Sequence, residues 1–229
     1  AYPAARVDLG GRRIIKKAPA FDPPPGPPIV AVSMHWDWPG TFAPPELLSA
    51  FSAYHDAIVG LSKRHRVLGH AHPKAAPMLS RWFVKKNIQY AELLSEVLTK
   101  ASVFVCDNSS SIYEFAATGR PVVVLNIPEY RREVNHGLRF WEAASVGVQV
   151  ERPQDLVAAV DLALTGSPEQ QAAREAALDI VYAYRSGASL RAASALLDWM
   201  ETAPARMVAP PSRATMSPSE RVEAYRATL

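Results

Sequence analysis

The chain has 229 residues, 48% of them hydrophobic and 21% charged, which is enough apolar content for one domain with a full core. No apolar run approaches the ~18 residues of a membrane span, and the single cysteine, Cys106, excludes an intrachain disulfide and suits a reducing compartment. The net charge of +3 sits in the ends, with five Arg/Lys against two Asp in residues 1–28 and four Arg against two Glu in residues 203–229; the middle is mildly acidic, which argues against a duplex-binding face and against nucleic acid as a partner.

Residues 1–28 hold seven prolines and end in Phe21-Asp-Pro-Pro-Pro-Gly-Pro-Pro28, the composition of an extended basic arm or linker. The apolar run Ile29–Met34 predicts a buried strand. Pro44-Pro45-Glu46 predicts a helix start, with Leu47, Phe51, Tyr54, Ile58 and Leu61 as its inward stripe. A second strand is expected over Arg66–His70, a helix over Pro77–Lys86 and a short strand over Asn87–Tyr90. Glu92–Lys100 reads as a helix with Leu93, Leu94, Val97 and Leu98 inward. A strand over 103–107, a helix over 111–118 and a strand over 122–126 follow, with Gly119 and Pro121 ending the helix. Gly147–Val150 predicts the last strand, and helices are expected over 153–165, 168–184 and 188–202. Residues 203–229 read as a basic, flexible tail.

Alternating strands and helices predict an α/β domain over residues 29–202, a parallel sheet covered on both faces. Ligands of such sheets bind beyond the carboxyl ends of the strands. Three predicted strand ends carry polar residues: His35 after the first, His70 and His72 after the second, and Asp107–Ser111 after the Val103 strand.

The serine run 109–111 at a helix start suits a phosphate, because free backbone N–H groups and the helix dipole favour an anion there. Ser111-Ile-Tyr-Glu114 also fits a capping box, so Glu114 serves either as a cap or as a ribose ligand. His70-Ala-His72 lacks a third ligand at suitable spacing, so no metal is expected, and no cofactor. His72 faces a phosphate, packs, or meets solvent. The loop from Met34 through Trp36, Asp37 and Trp38 stacks a substrate or anchors itself to the core. Tyr130 and Arg131 follow a strand end, where arginine suits phosphate. Trp82, Trp141 and Trp199 read as packing residues, His55 and His65 as surface residues, and Cys106 as a small core residue. A P-loop, a Gly-x-Gly-x-x-Gly turn and a Gly-x-Ser-x-Gly elbow are all missing from the sequence.

On these residues the segment Ile29–Leu197 resembles the C-terminal, nucleotide-binding half of GT-B transferases. Asp107-Asn108-Ser109-Ser110, Arg120-Pro121 and the late Ser186-Gly187-Ala188-Ser189-Leu190-Arg191 resemble motifs of the CDP-glycerol glycerophosphotransferase family. His35-Trp36, His72-Pro73 and Asp107…Glu114 resemble motifs of the non-hydrolysing UDP-N-acetylglucosamine 2-epimerases. The resemblance implies a Rossmann-like doubly wound parallel sheet flanked by the Pro-rich arm and the tail. It implies that Asn108, Ser109, Ser110 and Ser111 bind a nucleotide diphosphate and that Glu114 holds ribose hydroxyls. It also implies that His35 and His72 are catalytic, and that Trp36, Asp37, Tyr130 and Arg131 contact the donor group.

The function then expected is transfer of a sugar or polyol-phosphate from a UDP- or CDP-activated donor to a hydroxyl, with an N-terminal GT-B half or partner chain completing the unit. A homo-oligomer is compatible with this. The alternatives are a catalytically silent interaction module docking through its arms, and a UDP-N-acetylhexosamine 2-epimerase-like activity. The N-terminal residues lack the charged-then-apolar pattern of a leader, so the expected location is cytoplasmic, or peripheral at a membrane or assembly.

Overall fold

The computed structural model describes residues 26–36, 49–107, 109–128, 141–202 and 217. The chain divides into two compact units, Ala1–Arg185 and Ser186–Leu229.

The first unit is built on six strands: β1 (Ile29–Met34), β2 (Arg66–Ala71), β3 (Gln89–Tyr90), β4 (Val103–Cys106), β5 (Val122–Leu125) and β6 (Val148–Val150). They form one parallel sheet in the order β3-β2-β1-β4-β5-β6. Val, Ile and Leu dominate the strands because both faces are buried and side chains must pack above and below. Alternate residues of each strand therefore join opposite cores. Val30, Val32, Val103, Val105, Val123 and Leu125 pack under helices α1 (Phe51–Ser62), α2 (Ala76–Lys85) and α5 (Leu156–Thr165). Ala31, Leu68, Phe104, Cys106, Val122 and Val124 pack under α3 (Leu94–Lys100), α4 (Ser111–Ala116) and α6 (Pro168–Val181). The Rossmann-like doubly wound sheet expected from the sequence is the observed fold.

Strand order fixes where a ligand can enter. The chain runs outward from β1 to β3, then returns to lay β4 on the other side of β1. The order reverses between β1 and β4, and in such sheets the crevice that takes a ligand lies outside the carboxyl ends at this switch point. Tyr54 of α1 holds the neighbouring rim: its hydroxyl donates to the carbonyls of Asn126 and Val150, each at 2.9 Å. Burial, helped by the Glu151 charge, pushes that phenol up to about 12.

Several expectations are corrected. Helix α1 begins at Phe51, after a turn at Ala50, while Pro44–Leu47 lie outside the described residues. Helix α3 begins at Leu94. Leu93 is extended and 62% exposed, because it precedes the helix instead of facing inward. Strand β3 is only two residues long, since Asn87 takes a left-handed turn at φ 57°. The 153–165 helix is preceded by a separate tight turn at Pro153–Asp155, and α6 ends at Val181. His65 is half-buried, with its Nε2 2.9 Å from Asp161 Oδ1. Trp82 packs edge-on against Phe51, as a packing residue should. Trp199 does not: it lies 54% exposed on α7 (Ala188–Thr202), which belongs to the second unit. The Pro-rich arm up to residue 25 and the tail, except Ser217, lie outside the described residues.

Candidate functional site

Asp107 sits at the mouth of the crevice, the first residue after β4, and is fully buried. Its Oδ1 accepts the His35 N–H at 2.8 Å, from the end of β1. Its Oδ2 accepts the Ser49 hydroxyl at 2.8 Å and the Ala50 N–H at 3.0 Å, from the approach to α1. One carboxylate thus ties together β1, β4 and α1. Burial pushes its pKa up, while the three donors pull it back.

Beyond this knot, three rings cluster. His35 and Trp36 stack with centroids 5.5 Å apart. His72 lies 5.4 Å from His35 and 5.7 Å from Trp36. The Lys74 ammonium sits 3.9 Å above the indole, a cation–π contact. Strand pairing creates the cluster, because the His72 N–H donates to Met34 O and extends the β1–β2 ladder by one rung.

The backbone also decides which nitrogen of each imidazole is available. His35 Nδ1 lies 2.7 Å from the Trp36 carbonyl, which can only accept, so Nδ1 carries the proton. In the neutral ring, Nε2 then offers a lone pair. His72 has the opposite arrangement. Its Nδ1 accepts the Lys74 N–H at 3.2 Å, so the neutral ring presents Nε2–H as a donor. Burial lowers the His72 pKa, and nearby His35 and Lys74 lower it further, which favours that neutral form. The pair offers one acceptor and one donor side by side, as proton transfer to and from a substrate requires.

The serine loop leaves the same strand end. The Ser109 and Ser111 hydroxyls are hydrogen-bonded at 2.8 Å, and the Ser109 hydroxyl accepts the Ser111 N–H at 3.3 Å. The capping box expected at Ser111 and Glu114 is not formed. Ser110 is the cap residue of α4 and Ser111 its first helical residue, so the register is one residue off. Ser110 makes no side-chain capping bond. Ser110 and Glu114 are both exposed. The Asn108, Asp37, Tyr130 and Arg131 assignments lie outside the described residues.

His70, two residues before His72, is near enough to feel its charge but bonds to another partner. It is buried against the Ser33 hydroxyl, 2.7 Å from Nδ1, and burial holds its pKa below the usual imidazole value. Among the described residues no group of three His, Cys, Asp or Glu is placed to hold a metal. Sequence reasoning missed Lys74, whose signal was its place two residues after His72. It also missed Ser49 and the knotting role of Asp107, whose partners lie far off in sequence. Arg120 was seen only as part of a motif. Its guanidinium caps α3 instead, donating to the carbonyls of Leu98 and Ala101.

No helix among the described residues is long and apolar enough to cross a membrane. A search of curated proteins finds no match. Among solved structures the chain is similar to the wall teichoic acid polymerase TagF. Against a histidine-to-asparagine variant with CDPG, the TM-score is 0.53 at 13% identity, covering 79% of this chain and 44% of that one. Against a histidine-to-alanine variant, the TM-score is 0.52 at 14% identity, covering 80% of this chain and 47% of that one. The chain thus spans less than half the length of the structures it matches, and at such identity the likeness concerns the fold. The sequence itself matches a family description, CDP-glycerol:poly(glycerophosphate) glycerophosphotransferase, over residues 54–196, more than half of the chain. The chain is a member of the CDP-glycerol glycerophosphotransferase family.

Proposed function

We propose that this chain is the donor-binding part of a glycerophosphotransferase that takes CDP-glycerol as donor and the hydroxyl end of a poly(glycerophosphate) as acceptor. The family name supplies both substrates. The observation that carries the reading is the Asp107–His35 hydrogen bond, which roots the serine loop beside the paired imidazoles at the switch point.

In the proposed reaction the acceptor hydroxyl attacks the glycerol-bearing phosphorus, and the pyrophosphate P–O bond breaks. CMP leaves, the acceptor gains one glycerophosphate, and its proton passes to His35 Nε2. His72 Nε2–H donates to a phosphoryl oxygen as negative charge develops on it. Asn108, Ser109, Ser110 and Ser111 hold the diphosphate through hydroxyls and N–H groups, and Glu114 takes the ribose hydroxyls. Trp36, Asp37, Tyr130 and Arg131 border the glycerol. Nearly all of the rate gain comes from positioning and charge stabilisation.

Calorimetric titration with CDP-glycerol, CDP, UDP and UDP-N-acetylglucosamine tests this. CDP-glycerol is expected to bind most tightly. Ser110→Ala and Glu114→Ala should each weaken it about tenfold, the scale of one charge-assisted hydrogen bond. Unchanged affinity in both variants rejects the site, and a preference for UDP-N-acetylglucosamine rejects the donor.

A further inference from the structure

At the opposite end of the strands, where β2 and β3 begin, lies a cleft of about 210 Å³ lined by Ser62, His65, Arg66, Asn87 and Gln89, with Val67 and Ile88 as its apolar part. Its position follows from the winding. Helices α1 and α2 both end there, and parallel pairing of Leu68 with Gln89 sets Arg66 beside Asn87. The left-handed turn at Asn87 folds the end of α2 tightly into β3.

Arg66 lines the cleft, and further cations flank its lining residues in sequence. Lys63, Arg64, Arg66, Lys85 and Lys86 come from three successive elements and are all exposed. Asp161 of α5 is the carboxylate that meets them, 3.7 Å from Arg64 and 2.9 Å from His65. Counted along the sequence, the middle of the chain is mildly acidic; five of its cations stand on the segments that border this cleft. Helix dipoles favour Lys63, Lys85 and Lys86 at helix carboxyl ends. They do not account for Arg66, which opens a strand and lines the cleft with the side-chain amides of Asn87 and Gln89.

We propose that this cleft is a second anion site, one that binds a phosphodiester polymer. Naming the polymer as the acceptor chain rests on the transferase reading above; the anion site rests on the cleft and its cations. A concave cleft that offers Arg66 and two side-chain amides admits a string of phosphates, whereas a flat bilayer surface meets only its rim. The cleft stands about 20 Å from the crevice, the length of six strand residues. An acceptor end in the crevice therefore reaches the cleft only when several repeats follow it, so long acceptors are held more tightly than short ones.

The test uses the full chain and fluorescently labelled inorganic polyphosphate, with anisotropy read at two salt concentrations. Replacing Lys63, Arg66, Lys85 and Lys86 together by Gln should weaken binding by at least about tenfold and flatten its salt dependence, because fewer counterions are released. Thermal unfolding of the variant checks that the fold is intact. A second variant with Arg12, Arg13, Lys16 and Lys17 replaced by Gln should retain binding. If only this second variant loses binding, or neither does, the proposal is overturned. Sedimentation with phosphatidylglycerol vesicles without polyphosphate binding also overturns it, in favour of a membrane face. A CDP-glycerol titration run alongside separates the two readings. Polymer binding without donor binding supports the anion site and removes the transferase, whereas donor binding without polymer binding removes only the anion site.

Discussion

A buried carboxylate costs several kcal/mol unless donors surround it, and Asp107 receives three, from His35, Ser49 and Ala50. Those donors lie 57 to 72 residues before it, so no local pattern marks the role. His35 and His72 were legible because each follows the end of an apolar run, where a parallel sheet exposes its polar residues. Their tautomers were not, because each depends on a backbone contact one or two residues downstream. His70 gives a pH prediction. Its folded pKa lies below the ordinary imidazole value of 6.5, chiefly through burial. Below about pH 6.5 the unfolded chain therefore binds the extra proton first, and stability falls until the folded pKa is passed. Thermal melts between pH 8 and pH 5 should show this loss, and His70→Gln should make it shallower. An identical slope in the variant removes His70 as its source.

At the scale of elements, strands were read to within a residue or two, because β-branched runs buried on both faces leave few alternatives. Helix starts were read less well. The start of α4 was placed at Ser111, where it lies, but the capping-box pattern put the cap there as well, one residue after the actual cap Ser110. Contacts between elements hinge on residues the sequence does not flag. Gly69 of β2 is one: a Cβ there would come within 2.6 Å of Phe83 Cδ1 on α2, so the helix lies flat on the strand only because no side chain intervenes. Gly69→Ala should cost about 1–3 kcal/mol in denaturant unfolding. In the Phe83→Leu background the cost should shrink, since the opposing ring is gone. Additive costs would mean that the two residues do not meet. Arg120 was flagged only as part of a motif, yet it is a buried cation that ends α3 and stacks 4.7 Å from the Phe115 ring.

For the molecule as a whole, alternation of strand and helix was enough to predict a doubly wound sheet. The division into two units was not legible, because residues 188–202 read as one more amphipathic helix. The sheet and both apolar cores lie within residues 29–182, and Arg185 closes the first unit by pairing with Glu175 and Asp179. A chain ended at Arg185 should therefore unfold within about 4 °C of the full chain, the shift that ~1 kcal/mol produces at this size. A larger drop would show that Ser186–Leu229 stabilise the first unit. The switch point also dictates when function can arise during synthesis. His35 and Asp107 are 72 positions apart, and β1 gains its second neighbour only when β4 arrives. Closing so long a loop is slow compared with local helix formation. A nascent chain halted before Asp107 can pair β1 with β2 but has no β1–β4 switch point, so the proposed site can form only once the central sheet is complete.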